Sequence, residues 1–308
     1  MTVYLASPGF LKELCREVGP SQQIYDDLVV TDGPAQAAVW ARNIWQDAKQ
    51  IEFKSISEGI RGLRALGLRW SYHHYQHPAQ SNNRRAALIS EGLVSPKFPL
   101  LQFPKDLLPN RSLGSWTMIS ENLILASSKC SATTPDGDIA FLEDKAVPPT
   151  RAYLKLWEVF TRLRITPKSG DFCIDLGSCP GGWSWVLAKL GCQVTSVDKA
   201  NLDPEIAKLL QIKFIKASAF GLNPRDFPQM DWIFSDVICK PEKLLELVIQ
   251  WLTVFPDANY VCTIKLQGDT DHAVVRKFQD IPDSTVMHLT HNKHELTWIK
   301  LASKAEGP

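Results

Sequence analysis

Residues 172–200 read FCIDLGSCPGGWSWVLAKLGCQVTSVDKA and decide the fold of the second half of the chain. An apolar run ends at Asp175, a glycine-rich turn follows, a helical pattern begins near Gly182, and a second apolar run ends at Asp198. Glycine in such a turn allows positive φ and a close approach of ligand. An acidic residue at the end of the next strand can accept hydrogen bonds from both hydroxyls of a ribose. The pattern predicts a βα unit that binds a nucleoside.

The glycine spacing excludes two common phosphate-binding motifs. Gly177, Gly181 and Gly182 depart from the GxGxxG dinucleotide fingerprint, and the turn lacks the lysine and Ser/Thr pair of a P-loop. A nucleoside is therefore favoured over a pyrophosphate ligand. The alternative is a purely structural turn with an incidental aspartate. Cys179, inside the turn, is interpreted as a small packing residue rather than a nucleophile.

The rest of the second half alternates short apolar runs with amphipathic stretches. This alternation predicts a mostly parallel sheet covered by helices on both faces, a Rossmann-like doubly wound α/β fold. Two prolines in residues 147–150 (VPPT) mark the start of this domain, because proline halts regular structure. A closing antiparallel hairpin is predicted at 284–289 and 295–301. The other predicted elements are strands at 172–176, 193–197, 212–215, 232–235 and 260–265, and helices starting at Gly182, Glu205, Pro241 and His272.

The first half predicts a smaller α+β domain. Residues 1–19 (MTVYLASPGFLKELCREVG) predict a strand and a helix, and further helical patterns occupy 35–48 and 57–66. Strand-like runs at 117–119 and 123–126 precede a ProAspGly turn at 135–137. The predicted organisation is an N-terminal domain at 1–148, a catalytic domain at 149–303 and a flexible tail at 304–308.

Composition narrows the function classes. The 308 residues are 44% hydrophobic, which is enough for a core in each domain, and no apolar stretch approaches the roughly 20 residues that span a bilayer. We expect no membrane partner and a cytoplasmic location. The seven cysteines form no CxxC pair, so neither a disulfide framework nor a zinc finger is indicated. A net charge of +1 means that any nucleic-acid contact needs a local basic patch.

Six segments carry a resemblance to a known family. DLGSCPGGWSWVL (175–187) resembles the cofactor motif of the FtsJ-type ribose 2'-O-methyltransferases. SDVICKPEK (235–243) resembles the RlmM-type branch of that family, as do TRAYLKLWE (150–158), IKLQG (264–268) and HNKHELTWIKL (291–301). The opening ASPGFLKELCREV (6–18) is similar to the start of RlmM-type proteins, which place a THUMP-bearing RNA-binding region before the catalytic domain. The first half here is shorter, so a reduced, diverged THUMP-like domain is expected.

The resemblance implies S-adenosyl-L-methionine as cofactor and a ribose in bacterial large-subunit (23S) ribosomal RNA as substrate. It implies a catalytic tetrad of Lys155, Asp236, Lys265 and Glu295. Asp198 is expected to hold the cofactor ribose, and Asp236 to lie near the methyl donor. The family's aspartate after the third strand is replaced by Ser218 and Ala219, which puts the adenine contacts in question. The other residues that the resemblance assigns to the cofactor are Asp175, Gly177, Ser178, Pro180, Gly181, Gly182 and Trp183.

The tetrad suits methyl transfer to a hydroxyl, which is a poor nucleophile without a base. Lys265, at the end of a buried strand, is the expected base: desolvation and Lys155 would lower its pKa, whereas Asp236 and Glu295 would raise it. We expect Lys155 to help hold the RNA. Taken singly, such residues are usually solvated surface groups. The same chemistry on another RNA, such as transfer RNA or a messenger cap, and a non-catalytic RNA-binding or ribosome assembly factor remain alternatives.

Two other sets of residues are weighed against plainer interpretations. The histidines of HHYQH (73–77) and HLTHNKH (288–294) are expected to hold no metal, although they remain candidates for RNA contact. Trp70, Tyr72 and Tyr75 could stack on bases beside a basic face, or belong to the core of a domain with a solvated arginine face. The oligomeric state is left open. The RNA-binding candidates are Arg61, Arg64, Arg84, Arg85 and Arg151.

Overall fold

The computed structural model describes residues 1–20, 23–74, 81–111 and 113–302. The chain forms two compact units, Met1–Phe141 and Leu142–Pro308. The division falls between 141 and 142, whereas the sequence predicts it between 148 and 149. Tyr75, His77 and the predicted tail at 304–308 lie outside the described residues.

The first unit combines two sheets with three helices in its described part. Strands β2-β3-β1-β4-β9 form one sheet and β5-β8-β7-β6 the other. The elements in chain order are β1 (Thr2–Ala6), α1 (Leu11–Val18), β2 (Gln23–Tyr25), β3 (Leu28–Thr31), β4 (Ala41–Gln46), β5 (Lys49–Glu52), α2 (Ile56–Leu66), β6 (Trp70–Tyr72), α3 (Ser81–Glu91), β7 (Gly114–Ser120), β8 (Leu123–Ser127) and β9 (Lys129–Cys130).

Strand β8 shows how this unit is layered. Ile124 and Ala126 belong to a core cluster that includes Leu63 of α2 and Ile89 of α3. Leu125 faces a second cluster built from the five-stranded sheet. Because successive strand side chains point to opposite faces, β8 joins a helix layer to a sheet layer. The unit is α+β, as predicted.

The helical interpretation of 35–48 is wrong, since β4 occupies Ala41–Gln46. Asn43 and Trp45 are fully buried while their neighbours are more exposed, which is the period-2 pattern of a strand. Trp45 lies opposite Val3 of β1 in an antiparallel pair. Sheet pairing therefore overrides the helix propensity of the alanines before it. Helix α3 was also missed.

The second unit is a seven-stranded sheet with strand order β12-β11-β10-β13-β14-β16-β15. Strands β10 to β14 pair in parallel, and β15 and β16 close the sheet in antiparallel fashion. The predicted Rossmann-like fold and closing hairpin are confirmed. The elements are α4 (Tyr153–Leu163), β10 (Phe172–Leu176), α5 (Gly182–Lys189), β11 (Gln193–Asp198), α6 (Pro204–Ala207), β12 (Ile212–Lys216), β13 (Trp232–Ser235), α7 (Pro241–Val254), β14 (Asn259–Lys265), α8 (His272–Gln279), β15 (Ser284–Met287) and β16 (Glu295–Lys300).

The topology gathers polar residues at one edge of this sheet. The strand order reverses between β10 and β13, and ligands of open α/β sheets bind at such a switch point, outside the carboxyl ends of the strands. Asp175, Asp198 and Lys265 lie at or next to these ends, and Asp236 directly follows β13. Glu295 begins the antiparallel strand β16 and is the register partner of Lys265.

No helix in the described part of the chain is long and apolar enough to cross a membrane.

Candidate active site

The glycine-rich turn brings two backbone segments into close approach. Gly177 has a φ of +80°, and a Cβ there would lie 2.8 Å from the Val237 Cα atom. Gly181 has a φ of +118° and precedes α5, where a Cβ would lie 2.8 Å from the Ile206 side chain. Both positions thus require glycine. Gly177 lines a cleft of about 650 Å³, whereas Gly181 is not part of its lining.

The cleft lies wholly within the second unit. It contains all four tetrad residues and, of the predicted cofactor residues, Asp175, Gly177, Ser178, Pro180, Gly182, Trp183 and Asp236. A smaller pocket of about 160 Å³ shares Gly177 and is lined by Asp198, Ser218, Ala219 and Ile238, among others. The two cavities share Gly177 of the glycine turn, and together they are lined by the predicted site residues of this unit except Gly181.

Asp175 is a buried carboxylate with one unused oxygen. Its Oδ2 accepts a 2.6 Å hydrogen bond from the Ser184 hydroxyl, while Oδ1 has no partner among the described residues. Burial raises the pKa of Asp175 to about 7, and the nearby charge of Asp236 adds to the effect. A cation bound in the cleft would supply the missing partner and favour ionisation.

Asp198 is fixed by the backbone around it. Its Oδ2 accepts from the Cys179 amide at 3.0 Å, and its Oδ1 accepts from the Ala200 amide at 2.9 Å. Each carboxylate oxygen has a second lone pair, so the group can still bind a ribose hydroxyl. The Phe220 ring lines the same small pocket as Asp198. The Lys243 ammonium lies 4.3 Å from the centre of that ring.

The four tetrad side chains form a ring of alternating charge. Lys155 Nζ donates to both oxygens of Asp236 at 2.9 Å and to Glu295 Oε1 at 3.0 Å. Lys265 Nζ lies 2.6 Å from Asp236 Oδ1 and 2.6 Å from Glu295 Oε2. We call this four-residue arrangement the charge ring. Its side chains are 7% to 21% exposed, so the charges interact more strongly than surface ion pairs do.

The charge ring sets the protonation of its members. Burial opposes ionisation of Asp236, but the two lysines outweigh it and hold its pKa below the ordinary value. Burial likewise opposes the charge on Lys265, yet Asp236 and Glu295 raise its pKa above the ordinary value of a lysine. The two carboxylates thus raise the pKa of Lys265 by more than burial lowers it, which the sequence alone does not decide. Lys265 is protonated in the ligand-free protein at neutral pH.

Helix α4 carries Lys155 into the ring. Its Tyr153 ring lies 5.4 Å from that of Trp185 on α5, and Phe160 packs on Phe234 of β13. Trp183 donates its indole N–H to the Ala152 carbonyl at 2.9 Å, and the Lys155 ammonium lies 5.6 Å from its ring centre. Trp183 therefore ties the start of α4 to the glycine turn.

Glu158 is a charged residue of this site that the sequence reasoning missed. It is fully buried and accepts hydrogen bonds from the backbone amides of Thr290 and His291, the His291 ring and Arg162. Burial opposes its charge, but Arg162 and His291 lower the pKa of Glu158 to about 2. The available signal was a mostly apolar helical pattern at 153–163 in which Arg162 follows Glu158 after four positions.

The arginine candidates fall in different surroundings. Arg61 and Arg84 are exposed, Arg64 donates to the Gly92 carbonyl at 2.7 Å, and Arg85 lies 5.0 Å from the Phe53 ring centre. These four belong to the first unit. Arg151 lines the cleft of the second unit and pairs with Glu143 at 2.7 Å.

The aromatic candidates for base stacking are constrained by the core. Trp70 is 1% exposed and donates its indole N–H to the Gly67 carbonyl, so the expectation that it could stack on RNA is wrong. Its ring belongs to the helix-facing core of the first unit. Tyr72 is half-buried, with its ring centre 4.8 Å from that of Trp116.

The described histidines are engaged in local contacts. His73 bridges Asp27 and Asp136 in the first unit, and in the second His288 contacts the Lys293 carbonyl. Across residues 1–20, 23–74, 81–111 and 113–302, no group of three or more His, Cys, Asp or Glu side chains is arranged to hold a metal ion.

Comparison with known proteins identifies the protein family to which this fold and site correspond. Residues 149–301 match the family model described as FtsJ-like methyltransferase. This part of the chain is therefore an FtsJ-like methyltransferase domain.

Curated relatives point to one branch of this family. The chain is similar to proteins named Ribosomal RNA large subunit methyltransferase M. That of Halorhodospira halophila is 31% identical over 157 residues, covering 48% of this chain and 46% of the relative. That of Hahella chejuensis is 24% identical over 292 residues, covering 85% and 74%. That of Shewanella oneidensis is 29% identical over 182 residues, covering 52% and 50%. Two of these three matches thus span about half of the relative's length.

Proposed function

We propose that this protein is an S-adenosylmethionine-dependent methyltransferase that modifies a ribose 2'-hydroxyl of bacterial 23S ribosomal RNA. The observation that carries the proposal is the charge ring, which lies in the cleft beside the glycine-rich turn. The names of the curated relatives support large-subunit ribosomal RNA as substrate. We assign the cytoplasm as location on the same basis.

The residues of the two cavities fit the cofactor. Asp175 offers an unused buried oxygen to the ammonium group of the methionine moiety, and Asp198 offers lone pairs to the ribose hydroxyls. Gly177 lines both cavities. When bound, S-adenosylmethionine supplies an electrophilic methyl group on a positively charged sulfur. Ser218 and Ala219 line the small pocket, so adenine is held there without a carboxylate from this segment.

Lys265 is the proposed base. The hydroxyl oxygen must lose its proton as it gains the methyl group, and a neutral amine at Lys265 can accept that proton. Asp236 and Glu295 each lie 2.6 Å from its nitrogen, which fixes the direction of the amine. The same carboxylates stabilise the ammonium form, so they hold the proton once it is transferred.

Lys155 has a different role from the one expected from the sequence. Its ammonium makes three hydrogen bonds within the charge ring and is 7% exposed, so its donors are occupied. We therefore assign Lys155 to orienting Asp236 and Glu295, and we assign the contact with RNA to other residues. Replacing it would release two carboxylates that then bind Lys265 alone.

The test is methyl transfer from labelled S-adenosylmethionine to unmodified 23S ribosomal RNA. The native chain should give a product whose modified linkage resists alkaline cleavage. Lys265→Ala should lower the rate by about 10²-fold to 10⁴-fold, the usual contribution of a general base. Lys189→Ala, which removes an exposed lysine at the end of α5, is the matched control and should keep full activity.

Each other outcome has a defined meaning. Product on transfer RNA or a capped messenger, and none on ribosomal RNA, would keep the chemistry and replace the substrate. Cofactor binding without transfer to any of these RNAs would favour a non-catalytic RNA-binding factor. Full activity of Lys265→Ala would remove the proposed base.

A further inference from the structure

The loop between β15 and β16, residues 288–294, is held by a buried charge that the proposed reaction does not use. Glu158 accepts from the Thr290 amide at 2.9 Å, the His291 amide at 3.1 Å and the His291 Nδ1 atom at 2.7 Å. Arg162 donates to the same carboxylate at 2.8 Å. A fully buried carboxylate needs such a set of donors, because a lost partner would leave its charge uncompensated. Glu158 thus anchors the 288–294 loop to α4.

The loop is also fixed from within. The His288 Nε2 atom lies 3.0 Å from the Lys293 carbonyl oxygen, and the Leu289 side chain is fully buried. Asn292 donates its amide to the Glu295 carbonyl at 3.2 Å and to the Thr297 hydroxyl at 3.1 Å. The 288–294 loop is therefore a preorganised part of the cleft wall.

The anchor and the charge ring share their supports. Glu158 lies three residues after Lys155 on α4, so the two side chains are separated by about one helical turn. Glu295 directly follows the 288–294 loop at the start of β16. One helix thus positions both the charge ring and the wall beside it, which keeps their spacing constant.

This wall presents donors to the cleft. The loop contributes Thr290, His291 and Lys293 to the lining of the cleft. Thr150 and Arg151 line the same cleft. The charge ring is neutral in sum, since its two lysines face two carboxylates. Lys293 is exposed and has no ion-pair partner among the described residues. A lysine in that setting is suited to an anionic group such as a backbone phosphate.

We propose that the 288–294 loop is the RNA-binding wall of the cleft, with Lys293 contacting a phosphate next to the target ribose and Glu158 acting as a positioning residue for the loop. This inference rests on the proposed function. It adds an RNA contact within the catalytic unit, separate from the arginines of the first unit. His291, bonded to Glu158 through Nδ1, presents the rest of its ring on the same wall.

Lys293→Ala tests the phosphate contact, with Lys189→Ala as the matched loss of one positive charge. The KM for unmodified 23S ribosomal RNA should rise by roughly tenfold to a hundredfold, as expected for one charge-assisted contact. The slope of log affinity against log salt should become shallower by roughly 0.7, the value for one phosphate of a single strand. Affinity for S-adenosylmethionine should not change. An unaltered KM and salt slope would overturn the proposal.

Glu158→Gln tests the anchor. It should raise the KM for RNA and make the salt slope shallower, because a displaced loop no longer holds Lys293 against the phosphate, while S-adenosylmethionine affinity is retained. If this variant fails to fold, His291→Ala provides the measurement, since the two backbone amides still bind Glu158. A native KM in a folded anchor variant would contradict the positioning role. Failure of the native chain to methylate any RNA would instead refute the proposed function.

Discussion

Replacing Glu295 with glutamine tests whether Lys265 must lose its proton before transfer. Because Asp236 and Glu295 outweigh burial and raise the pKa of Lys265 above its ordinary value, only a very small fraction of its side chains is neutral at pH 7. For a step that needs the neutral amine, each pH unit below that pKa adds about 1.36 kcal/mol to the barrier. The rate should therefore rise tenfold per pH unit until the amine titrates.

Glu295→Gln removes one of the two charged contacts of Lys265, the one at 2.6 Å from Oε2. A hydrogen bond to a charged group contributes about 1.5 to 3 kcal/mol. The pKa of Lys265 should then fall, so the alkaline limb of the rate should move to lower pH. At a fixed pH on that limb, the rate should rise by roughly tenfold to a hundredfold.

The assay is single-turnover methyl transfer with saturating cofactor and RNA, measured from about pH 7 to pH 10, the range in which the rising limb is expected. Glu246→Gln, at an exposed position of α7, removes the same charge away from the cleft and should leave the profile unchanged. A limb that stays in place in Glu295→Gln would refute Lys265 as the titrating base.

Three further predictions concern binding and stability. Because the pKa of Asp175 is about 7, S-adenosylmethionine affinity should fall by up to tenfold per unit as the pH drops below 7, and calorimetry of Asp175→Asn should show no such dependence. Phe234→Ala, which empties a fully buried site against Phe160, should destabilise the second unit by about 3 to 5 kcal/mol in denaturant titration; a loss under about 1 kcal/mol would contradict tight packing there. The His73 pKa is raised from 6.5 to about 9 by Asp136 and Asp27 despite burial, so the charged form stabilises the first unit. That contribution, about 3 kcal/mol, should be complete below pH 6.5 and lost as the pH rises through 9, and His73→Gln should be insensitive over this range.

The second half of the fold could be predicted because its signals are local. Its buried parallel strands are apolar runs bounded by turn residues, and all five begin and end within one residue of the predicted positions. In the first half, β4 depends on pairing with β1, which no local pattern in 35–48 indicates. Helix α3 was missed because its polar first residues, SNNRR (81–85), resemble a loop sequence.

In the candidate site, too, the features that could not be predicted depend on contacts between distant parts of the chain. The tetrad residues could be named from their motifs, but the pKa of Lys265 depends on two carboxylates whose distances only the folded chain defines. Glu158 was missed because a glutamate in a helix is usually solvated. Its partners lie 132 and 133 positions further along the chain.

The register between β14 and β16 makes the charge ring dependent on nearly the whole second unit. Lys155 and Glu295 are 140 positions apart, and Glu295 meets Lys265 only when β16 is paired along the edge of β14. During translation, the glycine turn and the first strands can emerge before the ring has its fourth member. A proteolytic fragment that ends before β16 would keep the residues assigned to the cofactor and lose Glu295. Cofactor binding by such a fragment would therefore not report a competent enzyme.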